Sequence, residues 1–249
     1  MPNTLAGQVI IVTGGGQGIG RQFVQHLAKS GATICIVDID PEAAQATLAS
    51  LQPDAPAMTI VADVTSSADM EKMAASVHAR FGSIDVLINN AGIFPIKMFV
   101  DISVEEWNRV IQINLTGSFI ATKAVYNLMK KQVRGKIINI ASVAGRVGGV
   151  GFVHYSAAKA GVIGFTKALA REAGPLGIQV NAIAPGIIET NTAKAVFPDF
   201  ALKEFTRNVP LGRLGREEDL LGIVAFLCSQ ESDYITGQVL AVDGGYTMV

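Results

Sequence analysis

The chain has 249 residues, of which 49% are hydrophobic and 16% are charged, which excludes a disordered chain and allows a large core without disulfide or metal support. Twenty Lys and Arg against 21 Asp and Glu give a net charge of −1, so charge predicts no nucleic-acid partner and no anionic membrane surface. Residues 1–20 carry no charge but hold six glycines, which predicts neither a transmembrane helix nor a signal peptide. We therefore expect a soluble, cytoplasmic protein.

Cysteine and histidine usage predicts neither a disulfide framework nor a metal site. Cys35 and Cys228 share no motif spacing, and each lies in an apolar run, as buried thiols do. The three histidines do not cluster with the cysteines, which argues against a structural zinc ion.

Short apolar runs alternate with longer helical stretches along the whole chain. The predicted strands are 8–13, 33–38, 58–62, 84–89, 136–140, 178–183 and 239–242, and the predicted helices are 19–30, 41–51, 67–81, 104–131, 155–173 and 217–229. Strands that are continuously apolar are buried on both faces, which is typical of a parallel sheet covered by helices. The sequence therefore predicts an α/β fold: one doubly wound, seven-stranded parallel sheet with helices on both faces, formed as a single domain by residues 1–249.

Helix-end signals support these boundaries. Asp40 followed by Pro41 fits a helix start, and Ser103 with Glu106 has the capping-box spacing. Gly82 stands where a C-terminal glycine belongs. Residues 186–210 lack periodicity, so we expect them to form a mobile substrate loop that orders when ligands bind.

A glycine-rich turn follows the first predicted strand and leads into a helix. Its spacing is G-x-x-x-G-x-G, in which the glycines are Gly14, Gly18 and Gly20; Gln17 precedes Gly18, and Ile19 lies between Gly18 and Gly20. Glycines let the backbone approach a phosphate, and the helix N-terminus supplies free N–H groups. The turn predicts a dinucleotide cofactor, although a glycine turn alone also fits a purely structural role.

An acidic residue ends the second predicted strand, 18 residues after Gly20. Asp38 at this position can accept hydrogen bonds from the adenosine ribose and repels a 2′-phosphate, which favours NAD over NADP. A helix-capping role for this carboxylate is the alternative. Asp63 and Val64 follow the third strand, where they could reach the adenine ring.

Tyr155 and Lys159 lie four residues apart at the start of a predicted helix, so they share one helix face. A cation near a phenol favours the phenolate, and we expect it to lower the Tyr155 pKa toward a useful range. Ser142 ends the fifth strand and can point into the same crevice. A Tyr-x-x-x-Lys pair by itself is also a common surface pairing.

The ordered set of motifs resembles the short-chain dehydrogenase/reductase family over essentially the whole chain. The matching positions, in order, are residues 13–20, 89–92 (Asn-Asn-Ala-Gly), Asn114, Ser142, Tyr155, Lys159, Pro185, Gly186 and Thr190. The resemblance implies that Tyr155 is the general acid/base, that Ser142 hydrogen-bonds the substrate oxygen, and that Lys159 holds the nicotinamide ribose and lowers the tyrosine pKa. It also implies a water held by Asn114.

The resemblance further implies the remaining cofactor contacts. Asn90 and Ala91 would lie along the adenosine side, and Ile188 and Thr190 would contact the nicotinamide carboxamide by backbone and hydroxyl. Gly92, Pro185 and Gly186 would also bind the cofactor. Family members are commonly tetramers, so we expect a homotetramer.

Three predicted substrate segments, 93–98, 143–152 and 186–210, are mostly apolar. They favour a small or medium apolar secondary alcohol or ketone. One alternative is a reductase of 3-oxoacyl thioesters, although such family members usually use NADPH, against which Asp38 argues. The other is a non-catalytic nucleotide-binding sensor, since a fold alone does not fix function.

Overall fold

The computed structural model describes residues 4–190 and 199–248. Within them, seven strands form one sheet: β1 (Val9–Thr13), β2 (Thr33–Asp38), β3 (Ala57–Val61), β4 (Val86–Asn89), β5 (Gly135–Ile140), β6 (Ile178–Pro185) and β7 (Val239–Val242). The strand order is β3-β2-β1-β4-β5-β6-β7, and every neighbouring pair is parallel. The order reverses between β1 and β4, and such a reversal opens a ligand-binding crevice at the carboxyl ends of the strands. The predicted doubly wound fold is confirmed.

Helices cover both faces of the sheet. They are α1 (Gly18–Lys29), α2 (Pro41–Ala49), α3 (Ser67–Phe81), α4 (Val104–Ile111), α5 (Gly117–Gln132), α6 (Ala144–Val147), α7 (Val153–Ala173), α8 (Asp199–Arg207) and α9 (Leu221–Cys228). Among the described residues, no helix is both long and apolar enough to cross a membrane.

Alternate residues of each strand feed two separate cores, because successive side chains point to opposite faces of a sheet. All five residues of β1 are buried. Ile10 and Val12 pack in the core that includes residues of α1 and α9, whereas Val9 and Ile11 pack in the core that includes residues of α3 and α5. Cys35 is buried in the second of these cores and is unpaired, as expected.

The predicted helix ends are confirmed by hydrogen bonds. Asp40 accepts the N–H groups of residues 42 and 43 at the start of α2. Ser103 and Glu106 form a reciprocal capping box at the start of α4. Gly82 ends α3 in the left-handed conformation, with φ of 81°.

The helix predicted at 104–131 contains an interruption that the pattern did not show. A π-helical turn, Gln112–Thr116, separates α4 from α5. Within it, the Asn114 side-chain amide donates to the Val110 carbonyl at 3.1 Å and to the Ile93 carbonyl at 2.9 Å. The side-chain amide thus occupies the Val110 carbonyl, which would accept the backbone N–H of Asn114 in an α-helix. The predicted helix at 217–229 likewise begins as a 3₁₀ turn, Glu217–Leu220.

The segment predicted as a substrate loop at 186–210 is not a loop throughout. Residues 191–198 lie outside the described residues, but residues 199–207 form α8. Phe205 on this helix packs on Tyr246, with ring centroids 4.4 Å apart. Tyr246 lies near the end of the chain, so the sequence pattern of residues 186–210 alone could not indicate this contact.

Candidate functional site

The glycine-rich turn lies at the carboxyl end of β1 and fits a phosphate cradle. Gly14 and Gly18 have positive φ, of 64° and 51°. A β-carbon on Gly20 would lie 2.0 Å from the Gly14 carbonyl oxygen, so position 20 requires glycine. A β-carbon on Gly18 would meet nothing within 4 Å. The turn therefore has open space in front of the α1 N-terminus, whose N–H groups receive no side-chain cap from Gln17.

Residues that follow β4 brace this turn. The Asn90 side-chain amide donates to the carbonyls of Thr13 and Gly14, each at 3.0 Å. Thr13 Oγ1 accepts the N–H groups of Asn90 at 3.1 Å and Ala91 at 3.2 Å. The side chain of Asn90, which the sequence predicted along the adenosine side, thus fastens the turn itself, and Thr13, the first residue of the predicted turn motif, supports it at the end of β1.

Asp38 stands beside the turn and is nearly buried, with 8% of its surface exposed. Its Oδ2 accepts the Gly16 N–H at 2.8 Å, and its Oδ1 accepts the Asp40 N–H at 3.1 Å. Each carboxylate oxygen has a further lone pair for ribose hydroxyls. The geometry fits the predicted recognition of the adenosine ribose.

Asp63 and Val64 both make contacts within the protein. Asp63 Oδ1 accepts both the N–H and the hydroxyl of Thr65, each at 2.8 Å, which closes a turn after β3. Val64 packs against Gly117 of α5, where a β-carbon would lie 2.9 Å from Val64 Cγ2. Their contact with adenine stays a prediction.

Ser142, Tyr155 and Lys159 come together at the carboxyl end of β5. Ser142 Oγ accepts the Ala144 N–H at 3.1 Å, and the Ser142 hydroxyl lies close enough to the Tyr155 phenol to lower its pKa. Lys159 Nζ donates to the Ile140 carbonyl at 2.7 Å and lies 5.7 Å from the centroid of the Tyr155 ring. A strand end and the first turns of α7 therefore place a hydroxyl, a phenol and an ammonium in one crevice.

The pKa values of this group differ from the expectation. Burial raises the pKa of Tyr155 to about 12, against the effect of the Ser142 hydrogen bond, which lowers it. Burial also lowers the pKa of Lys159 to about 8. The expected lowering of the Tyr155 pKa is therefore wrong here, because removing both groups from water disfavours both charged forms.

Asn114 faces the same crevice. Its Oδ1 is buried and has no hydrogen-bond partner among the described residues. A β-carbon on Gly92 would lie 2.5 Å from this oxygen and 3.7 Å from Lys159 Nζ. A free acceptor in this gap fits the water that the family resemblance implies.

Backbone hydrogen bonds join the segment at the end of β6 to neighbouring parts of the chain. The Gly186 N–H donates to the Val242 carbonyl at 3.0 Å, and the Val143 N–H donates to the Pro185 carbonyl at 3.0 Å. The Ile188 side chain is buried, and the Thr190 N–H donates to the Ile188 carbonyl at 2.8 Å. Only backbone groups of Ile188 can therefore reach a cofactor, and the nicotinamide contacts stay predictions.

His154 contributes to the start of α7 rather than to proton transfer. It is buried, and its Nδ1 accepts the Tyr155 N–H at 3.0 Å. Burial lowers the His154 pKa, which suits the neutral ring that this hydrogen bond requires.

Two apolar loops form the rim of the crevice. Phe94 and Phe152 flank Tyr155, with ring centroids 6.3 and 5.7 Å from its ring. The Lys97 N–H donates to the Gly151 carbonyl at 2.9 Å, which joins the two loops. Both basic side chains of these loops are engaged: the ammonium of Lys97 pairs with Glu106 at 2.6 Å, and the guanidinium of Arg146 donates to the Val239 carbonyl.

Gly145 lets α6 approach α7 and is a residue that the motifs did not identify. A β-carbon there would lie 2.6 Å from the Lys159 carbonyl carbon and 2.8 Å from the Ala160 nitrogen, both backbone atoms.

We expect Gly145→Ala to push the Ser142 end of β5 away from Tyr155 and to lower turnover about tenfold or more, with cofactor binding within about twofold of wild type. Steady-state kinetics measure this. Gly164→Ala on α7 meets nothing within 4 Å and is the control; equal activity in both variants would contradict the expectation.

Comparisons with known proteins give matches over nearly the whole chain. A family model described as Enoyl-(Acyl carrier protein) reductase matches residues 14–247. The 3-oxoacyl-[acyl-carrier-protein] reductase FabG of Aquifex aeolicus is 40% identical over 243 residues, 97% of this chain and 98% of the relative. FabG of Escherichia coli is 41% identical over 243 residues, 98% of each chain. A solved structure from Sinorhizobium meliloti 1021, provisionally described as a short-chain alcohol dehydrogenase, covers 98% of both chains with a TM-score of 0.93 and 32% identity.

Proposed function

The chain belongs to the short-chain dehydrogenase/reductase family of oxidoreductases, and we propose that it uses NAD(H) to interconvert a secondary alcohol and a ketone. The observation that carries the proposal is the convergence of Ser142, Tyr155 and Lys159 beside the glycine-rich turn. Nicotinamide accepts or supplies the hydride when bound. The protein supplies orientation and the proton.

Each catalytic side chain has one role in this proposal. Tyr155 holds the proton at Oη and exchanges it with the substrate oxygen, while the Ser142 hydroxyl orients that oxygen. Since burial raises the Tyr155 pKa to about 12, the phenol is protonated at neutral pH, which suits a proton donor for ketone reduction. Lys159, charged below its pKa of about 8, binds the ribose next to the phenol.

A 3-oxoacyl thioester is the first candidate substrate. Curated relatives at 40% and 41% identity over nearly the whole chain are 3-oxoacyl-[acyl-carrier-protein] reductases. The chemistry is the reduction of a ketone to a secondary alcohol, to which Tyr155 would supply the proton. This candidate was the alternative in the sequence interpretation, and the relatives favour it over the main one.

A small or medium apolar ketone without a carrier is the second candidate. It is supported by the apolar rim, on which Val147 and Val150 are 56% and 86% exposed while the Lys97 ammonium is engaged by Glu106. Within residues 93–98 and 143–152, all of which the structure describes, the rim offers apolar surface and its single ammonium is paired.

One panel of substrates distinguishes the two candidate substrate classes and also tests whether the protein is an enzyme. Acetoacetyl-coenzyme A, acetoacetyl-N-acetylcysteamine and 2-heptanone are each reduced with NADH and with NADPH. A kcat/KM at least tenfold higher for the thioesters supports the first candidate, and the reverse order supports the second. No turnover of any substrate with either cofactor would favour the sensor alternative.

The choice of NAD over NADP is a separate prediction. A 2′-phosphate at about 4 Å from the Asp38 carboxylate costs on the order of 4 kcal/mol at an effective dielectric constant near 20, and partial solvation reduces this. We expect kcat/KM for NADH to exceed that for NADPH by about 10²-fold or more. Equal values for the two cofactors would contradict the assignment.

We also propose a homotetramer located in the cytoplasm. Exposed apolar side chains along α4 and α5 support a further protein contact: Val104 is 70% and Phe119 is 47% exposed. Light scattering after size-exclusion chromatography measures the mass, and a monomer at micromolar concentration would contradict the proposal.

A further inference from the structure

The carbonyl oxygen of Gly16, in the glycine-rich turn, is held from two helices. The Thr47 hydroxyl on α2 donates to it at 2.8 Å. The Arg21 guanidinium on α1 donates to it through Nη2 at 2.7 Å and Nε at 3.1 Å. Arg21 Nε also donates to Thr47 Oγ1 at 2.9 Å, and Thr47 is completely buried. Two side chains, one from α1 and one from α2, thus meet at the Gly16 carbonyl in the turn.

The N–H of Gly16 is held on its other side by Asp38 Oδ2, at 2.8 Å. The second oxygen of Asp38 accepts the Asp40 N–H at 3.1 Å, and the Asp40 carboxylate caps α2 by accepting the Glu42 N–H at 2.9 Å. Thr47 also lies on α2. A closed path therefore runs from the Gly16 carbonyl through Thr47 and α2 to Asp40 and Asp38, and from Asp38 back to the Gly16 N–H; we call this path the ring.

The ring has no free space at Gly16. A β-carbon there would lie 2.7 Å from Asp38 Oδ2 and 2.9 Å from the Ala43 β-carbon. The Gly16 carbonyl and the Gly16 N–H belong to the two peptide groups that flank the Gly16 Cα, so a shift of the carbonyl that Thr47 and Arg21 hold also displaces the N–H that orients the Asp38 carboxylate. We propose that Thr47 and Arg21 are positioning residues that hold Asp38, through Gly16, in the orientation that binds the adenosine ribose of NAD. This inference rests on the proposed use of NAD and adds two residues to cofactor choice.

Cofactor binding without turnover tests the inference. NADH and NADPH are titrated into wild type and variants, with nicotinamide fluorescence as the signal. Thr47→Val removes the hydroxyl and keeps the shape, and Thr47→Ser keeps the hydroxyl. Gln25→Met is the matched control, because Gln25 Nε2 donates to Ser50 Oγ at 2.8 Å and joins the same two helices away from Gly16.

We expect Thr47→Val to weaken NADH binding about tenfold and NADPH binding less, as the loss of one buried hydrogen bond implies. The preference for NADH then falls, while kcat at saturating NADH stays within about twofold of wild type. Thr47→Ser should restore NADH binding, and Gln25→Met should match wild type. Arg21→Met should act in the same direction as Thr47→Val.

An unchanged Kd for NADH in Thr47→Val, or an equal loss in Gln25→Met, would overturn the inference. Asp38→Ala, measured alongside, separates this failure from that of the proposed cofactor. A shifted NADH/NADPH ratio in Asp38→Ala beside an unchanged Thr47→Val overturns the positioning role alone. An unchanged ratio in Asp38→Ala overturns the choice of NAD together with the inference.

Discussion

Replacement of Tyr155 by phenylalanine is expected to lower turnover by ~10²–10⁴-fold, the loss typical of a missing general acid/base. The change removes one hydroxyl and almost no volume, so the fold and NADH binding should survive. Ketone reduction at saturating NADH, the Kd for NADH and the melting temperature measure the three effects. Tyr234→Phe is the matched control, because that side chain is fully exposed. A folded Tyr155→Phe protein with turnover near that of wild type would refute the proposed role.

The direction of the Tyr155 pKa shift also predicts how the wild-type activity depends on pH. Burial raises this pKa to about 12, so the phenol keeps its proton across the neutral range. Reduction, which needs the phenol as donor, should change little between pH 6 and pH 8. Alcohol oxidation, which needs the phenolate as acceptor, should rise with pH into the alkaline range. A tenfold fall of reduction from pH 6 to pH 8 would contradict the assignment.

The features that the sequence predicts well are those encoded by neighbouring residues. The five buried residues of β1 are a continuous apolar run, and the run itself predicts a strand covered on both faces. Tyr155 and Lys159 share a helix face because of their spacing, and Ser142 closely follows β5, whose carboxyl end must reach the same edge of the sheet.

The features that escaped prediction depend on residues distant in sequence. Thr47 lies 31 residues from Gly16, whose carbonyl it holds, and no motif links the two. The π-helical turn at Asn114 depends on the Ile93 carbonyl, 21 residues earlier. The raised pKa of Tyr155 depends on burial, which the Tyr-x-x-x-Lys spacing does not encode.

The buried ammonium of Lys159, besides its proposed role in catalysis, makes the stability of the folded protein depend on pH. Burial lowers its pKa from 10.5 to about 8, so between these values the unfolded chain binds more protons at this residue than the folded protein does. Stability therefore rises with pH across this window, because protonated Lys159 is unfavourable in the folded state. The rise amounts to about 3 kcal/mol, at about 1.4 kcal/mol for each pKa unit.

We expect Lys159→Met to remove this rise and to lower turnover by ~10²-fold or more, with weaker NADH binding, because the ammonium no longer binds the ribose or neighbours the phenol. Urea unfolding of wild type and variant at pH 7.5 and pH 10.5 measures the stability difference. Other titrating groups are common to both proteins, so their contributions largely cancel. Wild type should gain about 3 kcal/mol relative to the variant between the two pH values. A constant difference would show that the Lys159 pKa is not lowered, and full turnover in the folded variant would refute its role beside Tyr155.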